Sequence, residues 1–220
     1  MRTTGNGQET CLLTSYKSCV LTDLQVQILS PALLLSFLID ILKYSHMEPL
    51  DYNFEKNQIY LLSIASQSYR NFEKMINNCL ARKFKNILFI TVNEPFSSIL
   101  NDSVIPKGLN IHVIDCISAK AGVPKSQENV TFVSSPNALT EISIAVKRQI
   151  NKKIDFVVFS SLSTMLIYEK PQIILRFFHS LLTSIRNNNT GGLVLTNKNE
   201  TSKVFIDDIM MFFDKQLEIE

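Results

Sequence analysis

"YLLSIASQSYRNFEKMI", Tyr60 to Ile76, starts as one kind of structure and ends as another. Its first part belongs to the apolar run "QIYLLSIA", Gln58 to Ala65. A run apolar on both faces is the mark of a strand covered on both sides. Tyr69, Phe72, Met75, Ile76, Cys79 and Leu80 then recur at helical spacing and form one face of an amphipathic helix. A strand that turns into a helix is the unit from which parallel sheets are built. In such sheets ligands bind beyond the carboxyl ends of the strands, so the turn at Ser66 to Arg70 is the first place to look for chemistry.

The rest of the chain repeats the unit. "NILFITV" (Asn86 to Val92), "LNIHVIDC" (Leu109 to Cys116), the shorter "VTFVSS" (Val130 to Ser135), "IDFVVFSS" (Ile154 to Ser161) and "LVLT" (Leu193 to Thr196) read as strands. Ser135 and Pro136 read as the cap and first turn of a helix, with Glu141 near its start and Leu139, Ile142, Val146 and Ile150 on its apolar face. Ile173, Ile174, Phe177, Phe178, Leu181, Leu182 and Ile185 form the clearest helical stripe, which reads as core. "NNNTGG", Asn187 to Gly192, reads as a turn of residues that tolerate positive φ. Ser202 reads as the cap of a last helix running through Ile206, Ile209, Met210, Phe213 and Leu217. Strands alternating with helices need crossover connections, and these imply a mostly parallel sheet with helices on both faces. The expected fold is α/β, a three-layer α/β/α sandwich with a mostly parallel central sheet.

Composition sets the outer limits. The chain has 220 residues and is 45% hydrophobic, enough for a sizeable core and too apolar for a disordered chain. A net charge of +2 gives no electrostatic reason for a nucleic-acid or membrane-surface partner. Cys11, Cys19, Cys79 and Cys116 include no CxxC pair and the three histidines are scattered, which speaks against a metal site. Cys79 and Cys116 lie in apolar runs and read as reduced core thiols, which points to a cytoplasmic compartment. Residues 1–50 read as an N-terminal extension and 51–220 as the α/β domain. Within the extension, Met1 to Thr22 is polar and Ser/Thr-rich, whereas "LSPALLLSFLIDIL", Leu29 to Leu42, is apolar. That stretch carries Asp40, falls short of the roughly 20 residues needed to cross a bilayer, and lacks the flanks of a signal peptide. It reads as a short buried or partner-facing helix, with a membrane-associated helix as the alternative. "MEPLDYNFEKNQIYLL", from Met47, reads as a natural domain start, which leaves Met1 and Met47 both open as the native beginning.

A phosphate-binding loop of the form G-x-x-x-x-G-K-[ST] uses glycines to bring backbone N–H groups to phosphate, a lysine for its charge and a hydroxyl for Mg²⁺. Tyr60 to Ile76 contains no glycine, and no lysine stands at the motif position. Ser66, Ser68 and Arg70 are what this turn offers an anion, at the start of the following helix. The plainer reading is a capped, solvated turn. After Val157 to Phe159, a Mg-dependent ATPase of this class needs an acidic residue, and the sequence has Ser160 and Ser161.

These residues carry a likeness. "IDFVVFSSLSTMLIY", followed by "ILRFFHSLLTSIR" and "GGLVLT", resembles the second half of the RecA/KaiC-type ATPase core, and archaeal KaiC-like proteins in particular. In that family a strand ending in Asp-Ser-Leu-Ser precedes a long helix and a further strand. On this match Ser160 stands at the Walker B aspartate. "FITVNEPFSSIL" resembles the strand and turn bearing the family's catalytic glutamate, with Glu94 as the matching carboxylate, and "FVSSPNALTEISIAVKRQI" resembles the segment before the Walker B strand. The likeness spans Asn57 to Gln216 and rests on order and spacing. It implies a P-loop NTPase fold with degenerate Walker A and Walker B motifs. Without a phosphate cradle or metal ligand, Glu94 has no placed γ-phosphate toward which to activate water, and otherwise reads as a surface carboxylate before a proline turn.

Other candidates read as structural. Asp115 and Cys116 end a strand, but His112 lies too far along that strand to serve Cys116 as a base, so a core or capping role is expected. His179 falls on the polar side of the long helix, between Arg176 and Arg186. Arg82, Lys83, Lys85 and Lys147, Arg148, Lys152, Lys153 cluster at predicted helix ends, where positive charge suits the dipole. Phe84 alone interleaves with them, which is thin for a nucleic-acid surface. The expected function is therefore a non-catalytic regulatory or scaffolding domain acting through protein contacts, with no cofactor, no metal and no membrane association, and with self-association left open. Two alternatives stand beside it: a nucleotide sensor or ATPase with a diverged phosphate loop, and a nucleic-acid-associated accessory protein.

Overall fold

The computed structural model describes residues 53–65, 79–98, 109–122 and 127–219. The N-terminal extension, the apolar stretch Leu29 to Leu42, the turn from Ser66 to Arg70 and most of the helical stripe after it lie outside the described residues. The strands are β1 (Ile59–Ile64), β2 (Asn86–Thr91), β3 (Asn110–Asp115), β4 (Val130–Phe132), β5 (Phe156–Ser160), β6 (Gly191–Asn197) and β7 (Lys215–Ile219). The helices from β4 onward are α1 (Leu139–Ile150), α2 (Leu162–Tyr168), α3 (Pro171–Asn187) and α4 (Lys203–Met210).

The seven strands form one sheet in the order β4-β3-β2-β5-β6-β1-β7. Every neighbouring pair is parallel. The central strands β1, β2, β5 and β6 are buried on both faces, which is why they read as largely apolar runs. In β1, Ile59 and Leu61 enter one core while Tyr60, Leu62 and Ile64 enter the other. Connection handedness sorts the helices. From β4 to β5, β6 and β7 the chain moves one way across the sheet, and right-handed crossovers put α1, α2, α3 and α4 on one face. Their buried residues Ile142, Met165, Phe178 and Phe205 share a single core cluster. From β1 to β4 the chain moves the other way, and Leu80, Phe84 and Phe96 pack on the opposite face. The architecture is a three-layer α/β/α sandwich. Among the described residues no helix is long and apolar enough to cross a membrane.

Four local expectations need correction. The helix expected from Ser135 begins at Leu139, and Ser135, Pro136 and Asn137 belong to the preceding turn. Pro136 has a fixed φ that serves a turn as well as a helix start. Glu141 instead reaches back to accept from the Ser134 backbone N–H at 3.0 Å and its hydroxyl at 2.9 Å. Those bonds lower its pKa. The last helix stops at Met210, and Leu217 lies in β7. Ser202 does cap that helix, accepting from Phe205 N. In "NNNTGG" the positive φ, 53°, belongs to Asn189, whereas Gly191 and Gly192 open β6. Gly191 is there for close approach: a Cβ would lie 2.6 Å from the Phe156 ring and 2.8 Å from the Glu55 carbonyl oxygen. Finally, Ile173 is 40% exposed, so the buried stripe of α3 is Ile174, Phe177, Phe178, Leu181, Leu182 and Ile185.

Candidate functional site

After β2 the chain leaves toward β3, and after β5 toward β6, in opposite directions across the sheet. Such a reversal opens a crevice at the carboxyl ends of the two strands, where ligands of open α/β sheets bind. Thr91 and Ser160 face each other there in register. Both are fully buried. The Thr91 hydroxyl donates to the Glu94 carbonyl oxygen at 2.6 Å. The Ser160 hydroxyl donates to Asn93 Oδ1 at 3.5 Å, and Val92 N donates to the Ser160 carbonyl at 2.9 Å.

The polar rim continues along the sheet. Ser161 caps α2, its hydroxyl lying 2.8 Å from Thr164 Oγ1 and 3.2 Å from Ser163 Oγ. Ser163 Oγ in turn accepts from Asn197 N at 3.3 Å, at the end of β6. Thr196 and Thr201 pair through their hydroxyls at 2.8 Å. At the ends of β2, β5 and β6 the buried polar side chains are thus hydroxyls and amides, hydrogen-bonded largely to one another. Half-buried Glu94 is the carboxylate beside them. Glu94 follows β2 and Ser160 ends β5, and these two strands are neighbours in the sheet. Ser66, Ser68 and Arg70 lie outside the described residues.

The remaining candidates have structural surroundings. Asp115, fully buried at the end of β3, accepts from Ile117 N, Ser118 N and Phe96 N, each at 2.8 Å, and from Ser118 Oγ at 2.6 Å. Its carboxylate clamps the loops after β2 and β3 together. Burial pushes the Cys116 thiol far up, and the nearby Asp115 and Glu141 charges push the same way, so it is the opposite of a reactive thiolate. His112 Nε2 lies 2.8 Å from Thr131 Oγ1, and burial, then the Lys152 charge, lowers its pKa. His179 is exposed and its ring lies 5.1 Å from that of Phe212. The basic residues of both clusters are exposed. Among the described residues no group of three or more His, Cys, Asp or Glu side chains is arranged to hold a metal ion. The expected core or capping role thus holds for Asp115, but its partners escaped sequence reading because they come from two separate loops. Its one signal was an acidic residue closing an apolar run.

Comparison with solved structures gives a match to a KaiC-like protein of the hyperthermophilic archaeon Pyrococcus horikoshii OT3, with a TM-score of 0.51 over 76% of this chain and 74% of the other. The fold is RecA/KaiC-like. The identity is 11%, so the likeness describes the RecA/KaiC-like architecture and leaves the site to be judged on its own residues. No protein-family description and no curated protein sequence matches the chain.

Proposed function

We propose that this chain is a non-catalytic RecA/KaiC-like domain, a regulatory or scaffolding module that works through protein contacts and has lost the chemistry of its Walker A and Walker B positions. The observation that carries the reading is Ser160. At the end of β5, where a Mg-nucleotide would need a carboxylate, it offers a buried neutral hydroxyl bonded to Asn93. A hydroxyl brings no charge to a hydrated Mg²⁺ ion, and the turn after β1 has no glycine to let phosphate approach the backbone. A reducing cytoplasm suits the buried thiol of Cys116, and an archaeal origin goes with the resemblance.

Calorimetry with Mg-ATP, paired with a phosphate-release assay, tests the reading. The expected outcome is no magnesium-dependent binding in the micromolar range and no turnover above background. Tight binding abolished by Arg70→Ala would replace this reading with a nucleotide sensor. Turnover abolished by Glu94→Gln would make the chain an ATPase with a metal and phosphate site of a different construction.

A further inference from the structure

Helices α1 and α4 lie on the same face of the sheet, on either side of α3, which touches both. Each buries one stripe and leaves an apolar side chain on its outer side. On α1 this is Ile144, 45% exposed, and on α4 it is Val204, 72% exposed, followed just past the helix end by Met211 at 77%. Three and four residues after Ile144 stand Lys147 and Arg148. Three and four residues after Val204 stand Asp207 and Asp208. All four are exposed, and none forms an ion pair among the described residues.

We propose that this face docks a second copy of the chain, α1 of each protomer lying along α4 of the other. The spacing on the two helices is the same, an apolar residue followed by two like charges at i+3 and i+4, one turn further along the same face. Laid side by side in parallel, they set Ile144 against Val204 and Lys147 and Arg148 against Asp207 and Asp208. Because α3 lies between them, a two-fold axis running along α3 makes the α1–α4 contact twice and closes the dimer. Pairing α1 with α1 or α4 with α4 would bring like charges together, so charge selects the arrangement. Arg176, exposed on α3, faces its own copy near the axis and keeps the association weak. This inference does not depend on the loss of nucleotide chemistry.

Sedimentation velocity on the full chain tests it. The expected result is a dimer that builds with concentration up to about 100 µM and weakens by about tenfold when added salt screens the exposed charges. Asp207→Lys with Asp208→Lys, or Lys147→Asp with Arg148→Asp, should each leave a monomer. Mixing the two variants should restore a heterodimer, because every helix pair is then complementary again. A chain that stays monomeric at the highest concentration, a dimer indifferent to either reversal, or a mixture that stays monomeric overturns the proposal. If a reversal variant does not fold, as judged by its melting transition, the unmodified chain decides: a dimer unaffected by salt overturns the proposal, and one that weakens supports it.

Discussion

The two rims of the sheet are built from different chemistry. At the amino rim, Asp155 stands just before β5 and accepts from Lys56 Nζ at 2.6 Å, Asn86 N at 2.9 Å, Asn86 Nδ2 at 3.1 Å and Lys85 N at 3.2 Å. It ties the starts of β2 and β5 together. Asp214, just before β7, accepts from Ile59 N at 2.7 Å and from Arg186 Nη2 at 3.1 Å, joining β1 to the end of α3. At the carboxyl rim, β2, β5 and β6 end in hydroxyls and amides, and the buried carboxylate, Asp115, is spent on loop N–H groups. Among the described residues, Asp155 and Asp214 hold strand starts, while the polar side chains buried at the ends of β2, β5 and β6 are neutral. Removing a carboxylate from the amino rim strands several donors. Removing a hydroxyl from the carboxyl rim strands little.

Substitutions at three positions test that contrast, and the largest effect sets its scale. Phe177 sits between the rims on α3, nearly buried against Phe159 and Phe178. Phe177→Ala should cost ~3–5 kcal/mol by chemical denaturation, through lost contacts and a cavity. A loss under about 1 kcal/mol would mean that this stripe does not hold the core. Next comes Asp155→Ala, expected to cost about 2–4 kcal/mol because backbone and side-chain donors lose a charged acceptor. Its pH dependence has a definite sign. Partial burial would by itself raise the Asp155 pKa, but hydrogen bonds from Lys56 and Asn86, with the Lys56 charge, outweigh this and lower it. A depressed carboxylate pKa stabilises the fold above the unfolded value of about 4. That contribution disappears as pH falls through the folded value, so Asp155→Asn should flatten the acid limb of the stability curve. An unchanged acid limb would remove the amino-rim half of the contrast. The smallest effect belongs to Ser160→Ala, expected to change stability by no more than about 1 kcal/mol. A loss matching that of Asp155→Ala would erase the difference between the rims.

How legible these features were depends on how many faces of each element are covered. β1, β2 and β5 could be read to within a residue or two because burial on both sides leaves a nearly unbroken apolar run. The face of α3 showed because six of its residues are buried at helical spacing. β7 did not show. It is an edge strand, Lys215, Gln216 and Glu218 are exposed, and Leu217 falls at helical distance from Phe213. α2 went unread because seven residues give too little periodicity to stand out. At the candidate site, the place of Ser160 at a strand end and of Glu94 just after one was legible from order and spacing. The bond from Ser160 to Asn93 was not, because a hydrogen-bond partner across strands follows from register, which one sequence does not display. Asp155 and Asp214 left only a faint mark, an acidic residue directly before a strand.

The sheet order also bears on how the chain is made. β1 carries six consecutive buried residues, and its two neighbours are β6 and β7, Ile59 pairing with Gly192 and Ile64 with Ile219. Both neighbours lie more than half the chain further on. At about 5–20 residues per second, a nascent β1 waits on the order of ten seconds before either partner is synthesised. Through that interval it is an apolar strand with two open edges, a substrate for chaperones and a template for mispairing. A strand fully buried in the finished protein is therefore a vulnerable segment of the unfinished one.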